Sequence, residues 1–360
     1  MSKKVVVGMS GGVDSAVAAC MLKEQGYDVV GLFMRNWHEK DGADNCTADE
    51  DYFDVRGVCN LIGIPYYSVD LSKEYYDRVF THFVEEYEKG RTPNPDVLCN
   101  REIKFDSFAA HAKALGADYI ATGHYAGVRK SDEGNLLIRA KDDNKDQTYF
   151  LNQLKSEQLE GVIFPLCDMD KPAVRKYAER YRIPVAGKKD STGICFIGER
   201  NFRNFLSQYI PMREGVIKDI SGREVGRHSG VYYYTVGQRR GLGIGGASGG
   251  EGAWFVVDKD VESNILYVSQ GDESMLYRDA VLCPKFNFIS MRPKGDRMEC
   301  DVRIRHRQPL QRAVAYMTGE GVEIVFNTPQ RAPAIGQYAV IYVGDVCLGG
   351  GVMEKAYNRK

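Results

Sequence analysis

The chain has no two cysteines spaced as Cys-x-x-Cys. Its nine cysteines, at 20, 46, 59, 99, 167, 195, 283, 300 and 347, each stand alone, which argues against a zinc finger or ribbon and leaves no expected structural metal site. Their odd number also speaks against a disulfide scaffold. No apolar run approaches the ~20 residues of a membrane-spanning helix, and "MSKK" leads straight into a strand, unlike a signal peptide. The expectation is a cytoplasmic protein with no membrane partner. Net charge is −1 at pH 7, so bulk charge does not mark a nucleic-acid binder. There is no internal repeat, and "GGASGGEG" is the only low-complexity patch.

What is present is length and alternation. At 360 residues, 43% hydrophobic and 27% charged, the chain can hold two or three domains with substantial cores. In the first half, "KKVVVGM", "YDVVGLFM", "PYYSVDL" and "DYIATGHY" read as strands separated by helical stretches. Among these, "TADEDYFDVRGVCNLIG" opens with a capping box from Thr47 to Glu50, while "KEYYDRVFTHFVEEYEKG" and "REIKFDSFAAHAKALG" close at Gly90 and Gly116. This order predicts an α/β doubly wound parallel sheet. After "ERNFRNFLSQYI" the texture turns to Gly, Tyr and Val, with two strand-like runs around a Gly-rich loop. From 275 onward "AVAYM", "VEIVF" and "YAVIYVG" suggest a small β-barrel. We expect an α/β domain at 1–200, a small α+β domain at 201–272 and a C-terminal barrel at 273–360. The first 200 residues carry five more acids than bases and the rest four more bases than acids. The stretch 285–312 is rich in Arg and Lys and suits either a phosphate backbone or a solvated face.

One junction concentrates chemistry. The strand "VVVGM" runs into "SGGVDS" and then into a helix closed by Gly26. No Lys follows the glycines as a P-loop requires, and the spacing is not GxGxxG. The segment Gly8, Met9, Ser10, Gly11, Gly12, Val13, Asp14 and Ser15 can turn backbone N–H groups toward an anion at a helix N-terminus. A tight turn capped by Asp14 or Ser15 is the plainer alternative. Two cysteines also stand in polar surroundings. Cys99 follows "GRTPNPDVL", where Pro93 and Pro95 suggest an irregular loop, and Cys195 lies in "KKDSTGICFIGERNF" near Lys188 and Lys189. Thiolates are favoured beside cations and helix N-termini, whereas Cys20, Cys59 and Cys347 read as buried packing residues.

"SGGVDS" resembles the signature of the PP-loop ATP pyrophosphatases. The runs "GMSGGVDS", "GRTPNPDVLCN", "ATGHYA", "KDQTYFL", "DSTGICFIGERNF" and "YTVGQRRGLGIGG" occur together and in order, and with them the chain resembles the bacterial tRNA-specific 2-thiouridylases along nearly its whole length.

That resemblance implies ATP-dependent replacement of the C2 oxygen of the wobble uridine by sulfur in tRNAs for Lys, Glu and Gln. It implies ATP and Mg2+ at the phosphate loop, with Asp14 toward the metal, and adenine contacts at Met34 and Gly123. It makes Cys195 the persulfide carrier, Cys99 the resolving nucleophile that ends in a Cys99–Cys195 disulfide, and Asp96 the acid/base group. Asn94, Pro95 and Asp96 would line the target-base pocket. His124, Lys145, Asp146, Gln147, Arg305, His306 and Gln337 match tRNA contacts. The implied sulfur donor is a cysteine desulfurase or a relay protein. The rival readings are another adenylating PP-loop enzyme, such as an amide-forming synthetase or a lysidine-type tRNA ligase, and an RNA-binding protein that only senses nucleotide.

Overall fold

The structure is a computed structural model that describes residues 2–37, 47–190, 202–244 and 252–359. Cys46, Cys195 and most of the "DSTGICFIGERNF" run lie outside the described residues.

The first domain is built on a parallel sheet. β1 (Lys4–Met9), β2 (Asp28–Arg35), β3 (Tyr66–Asp70), β4 (Tyr119–Thr122) and β7 (Val162–Ile163) lie in the order β3-β2-β1-β4-β7. Val5, Val6 and Val7 are fully buried because helices cover both faces. On one face pack α1 (Val13–Glu24), α2 (Thr47–Ile62) and α3 (Lys171–Arg180). On the other lie two longer helices, over 72–88 and 95–114, each carrying an internal π-helical stretch, Tyr76–Phe80 and Cys99–Ser107. Register sets the working edge. Met9 stands opposite Phe33 and Gly8 opposite Thr122, so the loops after β1, β2 and β4 end at one level.

The four-stranded sheet of the middle domain has the order β10-β11-β8-β9, from β8 (Gly215–Asp219), β9 (Glu224–His228), β10 (Trp254–Asp260) and β11 (Ile265–Gln270). The run "VYYYTV" is not a strand. Gly230, at φ +144°, starts a single 3-10 turn over Val231–Tyr233. Phe205 and Tyr209, from α4 (Phe202–Leu206) and the turn after it, pack edge-to-face on Phe80, with the Phe80 and Tyr209 rings 4.6 Å apart. This aromatic cluster joins the middle domain to the helix over 72–88.

The last sheet has ten strands, all antiparallel, and crosses the expected domain boundary. To β12 (Tyr277–Cys283), β13 (Phe286–Phe288), β14 (Arg297–Arg303), β15 (Gln311–Thr318), β16 (Gly321–Arg331), β17 (Tyr338–Val343), β18 (Val346–Val352) and β19 (Lys355–Tyr357) it adds a hairpin from the first domain. β5 (Ala126–Ser131) and β6 (Gly134–Arg139) form that hairpin, and β6 pairs with β18 through Ile138–Val346 and Leu137–Cys347. Alternation of small and branched residues gave no warning that this hairpin would leave its own sheet. No helix is long and apolar enough to cross a membrane among the described residues.

Candidate active site

β1 ends at Met9 and the chain turns through Ser10, Gly11 and Gly12 before Val13 starts α1. Gly11 is at φ +74°, and a Cβ there would sit 2.8 Å from the Asp51 backbone, so only glycine fits. Gly12 is the N-cap and supplies no side-chain bond to the helix. Among the described residues no side chain, Asp14 and Ser15 included, caps the first-turn N–H groups, which suits them to an external anion. Ser15 instead braces the loop. Its Oγ donates to the Gly12 carbonyl at 3.1 Å and accepts from the Ser10 N–H at 3.2 Å. Gly123, after β4, presses on the same turn, and a Cβ there would meet the Ser15 nitrogen at 2.6 Å. An uncapped helix start, two glycines and two hydroxyls form a cradle that fits nucleotide phosphates.

Met34 is half-buried and faces the core on the Cys99 side of the sheet. Its neighbours Phe33 and Arg35 point the other way, into a cavity of ≈ 280 Å³ lined also by Tyr52, Ser68, Val69 and Asp70. Sequence reasoning missed this cavity, because its walls come from three separate elements.

Asp14 sits in the first turn of α1 and is held by two partners, Tyr125 from the "ATGHYA" run and Lys171, which lies in none of the quoted runs. Tyr125 Oη donates to Oδ1 at 2.9 Å, and Lys171 Nζ lies 2.7 and 2.9 Å from the two oxygens. Burial, then the Asp14 charge, pushes the Tyr125 phenol far up, so it remains a donor. Lys171 also reaches Asp190 at 2.7 Å, and Asp190 binds Lys145 and Arg175 at 2.5 and 2.9 Å. Burial would raise the Asp190 carboxyl, yet the Lys145 and Lys171 bonds hold it down at about 2. Among the described residues no cluster of three or more His, Cys, Asp or Glu can cage a metal. A magnesium ion fits here only as carried by phosphates with one protein carboxylate, which Asp14 can supply.

The second half of the site gathers around residues 92–100. The irregular loop ends at Asn94, because Pro95 is the first residue of a helix. Cys99 is therefore not in a loop. It stands one turn inside the helix where the π-helical stretch begins, fully buried, and that burial pushes its thiol up to about 11. The carbonyls of the widened turns find outside donors: Gln158 Nε2 reaches the Arg101 and Phe105 oxygens at 3.1 and 3.0 Å. Because this helix leads back to the amino end of β4, its start with Asp96 and Cys99 lies toward the carboxyl edge, like the phosphate loop.

Gln337 from the barrel pins the 92–94 loop. Its Nε2 donates to the Thr92 and Pro93 carbonyls at 2.9 and 3.3 Å, and its Oε1 accepts from Asn94 Nδ2 and Tyr149 Oη, each at 3.3 Å. The His306 ring lies 4.4 Å from the Phe150 ring, and burial lowers its imidazole to about 4. Arg305 is exposed and bonds the Arg331 and Ala332 carbonyls. The structure thus brings Asn94, Gln337 and His306 around Tyr149 and Phe150.

Other residues of the expected RNA surface are differently placed. Asp146 is buried, with Arg303 NH1 at 2.5 Å and Thr148 Oγ1 at 2.9 Å from both oxygens. It is a strut between the first domain and the barrel, because a carboxylate without water needs such partners. Arg303 is equally buried, against the Tyr342 ring at 5.5 Å, and so leaves the basic stretch for the core. Gln147 accepts the Tyr125 N–H at 3.0 Å and positions the phenol over Asp14. His124 is buried between Phe105 and Phe164 with Nδ1 2.7 Å from Thr122 Oγ1, and burial holds it neutral. Lys188 binds Asp51 and Asp54 at 2.6 and 2.5 Å.

Comparison with known proteins adds three matches along the chain. Residues 3–199 match the model described as a tRNA methyl transferase HUP domain, 203–270 a tRNA methyl transferase PRC-barrel domain, and 278–353 an aminomethyltransferase beta-barrel domain. The chain is 55% identical over 359 residues to the tRNA-specific 2-thiouridylase MnmA of Halalkalibacterium halodurans. It is 53% identical over 364 residues to that of Streptococcus mutans, and each match covers 99% of this chain and 96% of the relative. Among solved structures, the U34-tRNA thiolase NcsA of Methanococcus maripaludis overlaps at 20% identity with a TM-score of 0.36, covering 57% of this chain and 65% of that one. That overlap is too slight to carry an argument.

Proposed function

The chain belongs to the tRNA-specific 2-thiouridylase family, and from that premise we propose that it activates the C2 oxygen of the wobble uridine with ATP and then replaces it with sulfur. The observation that carries this reading is the pairing of an uncapped phosphate cradle with a cysteine-bearing helix start on one edge of one sheet. A carbonyl oxygen is a poor leaving group. Attack of O2 on the α-phosphorus breaks the bond to the bridging oxygen, and pyrophosphate departs with the electron pair. The terminal sulfur of a Cys195 persulfide then attacks C2 and AMP leaves. Cys99 attacks the Cys195 sulfur, a Cys99–Cys195 disulfide forms, and the tRNA keeps the thiocarbonyl sulfur. An external reductant resets the pair.

Particular residues serve each step. Gly11, Gly12, Ser10 and Ser15 hold phosphate oxygens, with Gly123 closing the cradle. Asp14 is the carboxylate for a magnesium ion, which supplies charge neutralisation of the phosphates when bound. Asn94 and Asp96 face the base, and Asp96 serves its proton transfers. Gln337 and His306 position that pocket, and Arg305 meets RNA. Cys99 is fully buried and that burial raises its thiol, so resolution requires the helix start to open and let the thiolate form. Lys, Glu and Gln tRNAs and a cysteine desulfurase or relay protein complete the cycle.

The family models speak of methyl transfer and the curated relatives of thiolation. Methyl transfer has no use for a pyrophosphatase loop, which favours thiolation. The test is incubation with ATP, Mg2+, a sulfur donor and unmodified tRNA, followed by nucleoside mass analysis. A uridine that has exchanged oxygen for sulfur, with one AMP per nucleoside, is the expected result. A methylated uridine, or no modification, overturns the reading.

A further inference from the structure

Asn94 stands where an amide side chain normally has a local task. It is the N-cap of the helix that Pro95 opens, with φ −118° and ψ 95°. An Asn at that position ordinarily spends its Oδ1 on an N–H two or three residues on. Here the side chain makes no such bond to the helix. The Oδ1 atom is buried all the same, and nothing among the described residues donates to it. A buried acceptor without a donor is costly, so the direction of this oxygen needs a cause.

The cause lies in Gln337. One end of its amide faces two backbone carbonyls, Thr92 at 2.9 Å and Pro93 at 3.3 Å. A carbonyl oxygen can only accept, so that end must be the nitrogen, and Oε1 must point toward Asn94. Oε1 in turn accepts from Asn94 Nδ2 and lies as far from Tyr149 Oη, each at 3.3 Å. Turning either amide over would set oxygen against oxygen. The carbonyls are themselves held in place, because the Thr92 N–H donates to the Ile335 carbonyl at 2.8 Å. Gly336 packs on the same bond, where a Cβ would meet the Thr92 nitrogen at 2.9 Å. This chain of contacts decides that Asn94 offers an oxygen, rather than an NH2, beyond the 92–94 loop.

Pyrimidines differ at the atom such a group would meet. Uracil carries an N3–H donor on its Watson–Crick edge, whereas N3 of cytosine is a bare acceptor. An oxygen pairs with the first and opposes the second. We infer that Gln337 is a specificity-determining positioning residue, which locks the Asn94 amide so that only Oδ1 meets N3 of the base, admitting uracil and rejecting cytosine. This inference rests on the proposed placement of the target base against Asn94. Cytosine would leave its own N3 and the Asn94 oxygen desolvated and unpaired, a repulsive element built against the wrong base. An amide free to turn over would offer Nδ2 to cytosine and relieve that mismatch, so the selectivity lies in the lock.

The test compares unmodified tRNA with the same tRNA carrying cytidine at the wobble position, using the full-length protein and its Q337M and N94A variants, with thermal melts of each. The readout is the ratio of kcat/KM for the two RNAs, from the thiolated nucleoside formed. The native protein is expected to favour uridine by at least about 10²-fold, as for a site that pairs with a substrate N–H. Q337M frees the Asn94 amide to turn over, so its ratio should fall at least about tenfold. A residue that only props the loop predicts that both rates fall together. An unchanged ratio in Q337M therefore overturns the proposal, as does a native ratio near one. If Q337M melts early, N94A decides: a ratio at least about tenfold below native supports the proposal, and a native ratio overturns it. If the native protein thiolates neither RNA, the reading of the reaction itself fails. If it thiolates uridine and the ratio survives in Q337M, only the role of Gln337 fails.

Discussion

The phosphate loop and the proposed base pocket share one domain edge but are assembled in opposite ways. Ser10, Gly11, Gly12 and Ser15 lie within six consecutive residues, and backbone geometry plus two hydroxyls complete the cradle. The proposed base pocket is a cluster of Asn94, Phe150, His306 and Gln337 from segments separated by up to 243 positions, joined by side-chain bonds such as Asn94–Gln337. A contiguous site keeps its shape if the local turn keeps its shape. A composite site depends on the docking of the barrel, and so on buried residues that touch neither substrate.

The largest effect should separate the two halves outright. C99S and C195S should abolish 2-thiouridine formation while pyrophosphate release continues; loss of both activities together would mean the halves are not separable. Next, D14A should slow pyrophosphate release by about 10²–10³, the range for losing one electrostatic contact to the reacting centre, while tRNA binding in a filter assay stays near native. A binding defect of equal size would place Asp14 in both halves.

A smaller effect tests the docking. D146A leaves Arg303 charged and buried without its partner, which costs about 3–5 kcal/mol, read as a shifted denaturant midpoint. Because the strut lies between domains, tRNA affinity should fall with it while ATP affinity holds. A native midpoint would show that the barrel docks without the pair. Testing the basic stretch for RNA contact therefore means changing Arg305 and Arg307 and leaving Arg303 in place.

The smallest effect is on pH. Burial holds the His306 imidazole at about 4 against an ordinary value of 6.5. The unfolded chain thus binds the proton more readily, so this contribution to stability is complete above pH 6.5 and falls as pH drops toward 4, by at most about 1.4 kcal/mol per pH unit. H306F should flatten the acid limb of the melting-temperature profile. His124 and His228 are lowered in the same direction, so part of the slope should survive the substitution. An unchanged profile would mean that His306 is open to water.

What could be read from sequence follows the same division. The parallel sheet was legible because Val5 to Val7 sit in a β-branched run, and the helix stops because Gly90 and Gly116 take φ of +73° and +80°. The phosphate loop was legible because its function is local. Cys99 was misplaced because a proline pair reads as a loop while Pro95 is equally suited to open a helix. Asp146 and Arg303 look like surface charges in sequence, and only the contact between loop and barrel makes them core. Lys171 carried no signal, since a lysine before a proline is ordinary, and Tyr125 stood in the "ATGHYA" run without a role of its own.

The hairpin of β5 and β6 has a consequence for how the protein is made. Its partner strand β18 follows it by about two hundred residues, which at roughly 5–20 residues per second is tens of seconds of synthesis. During that interval β6 exposes an unpaired row of backbone groups, the kind of edge that recruits other strands. Early termination within the barrel therefore leaves more than a missing barrel: it leaves the first domain with an open strand. The strand that completes the edge of the first-domain hairpin is therefore made long after the hairpin itself.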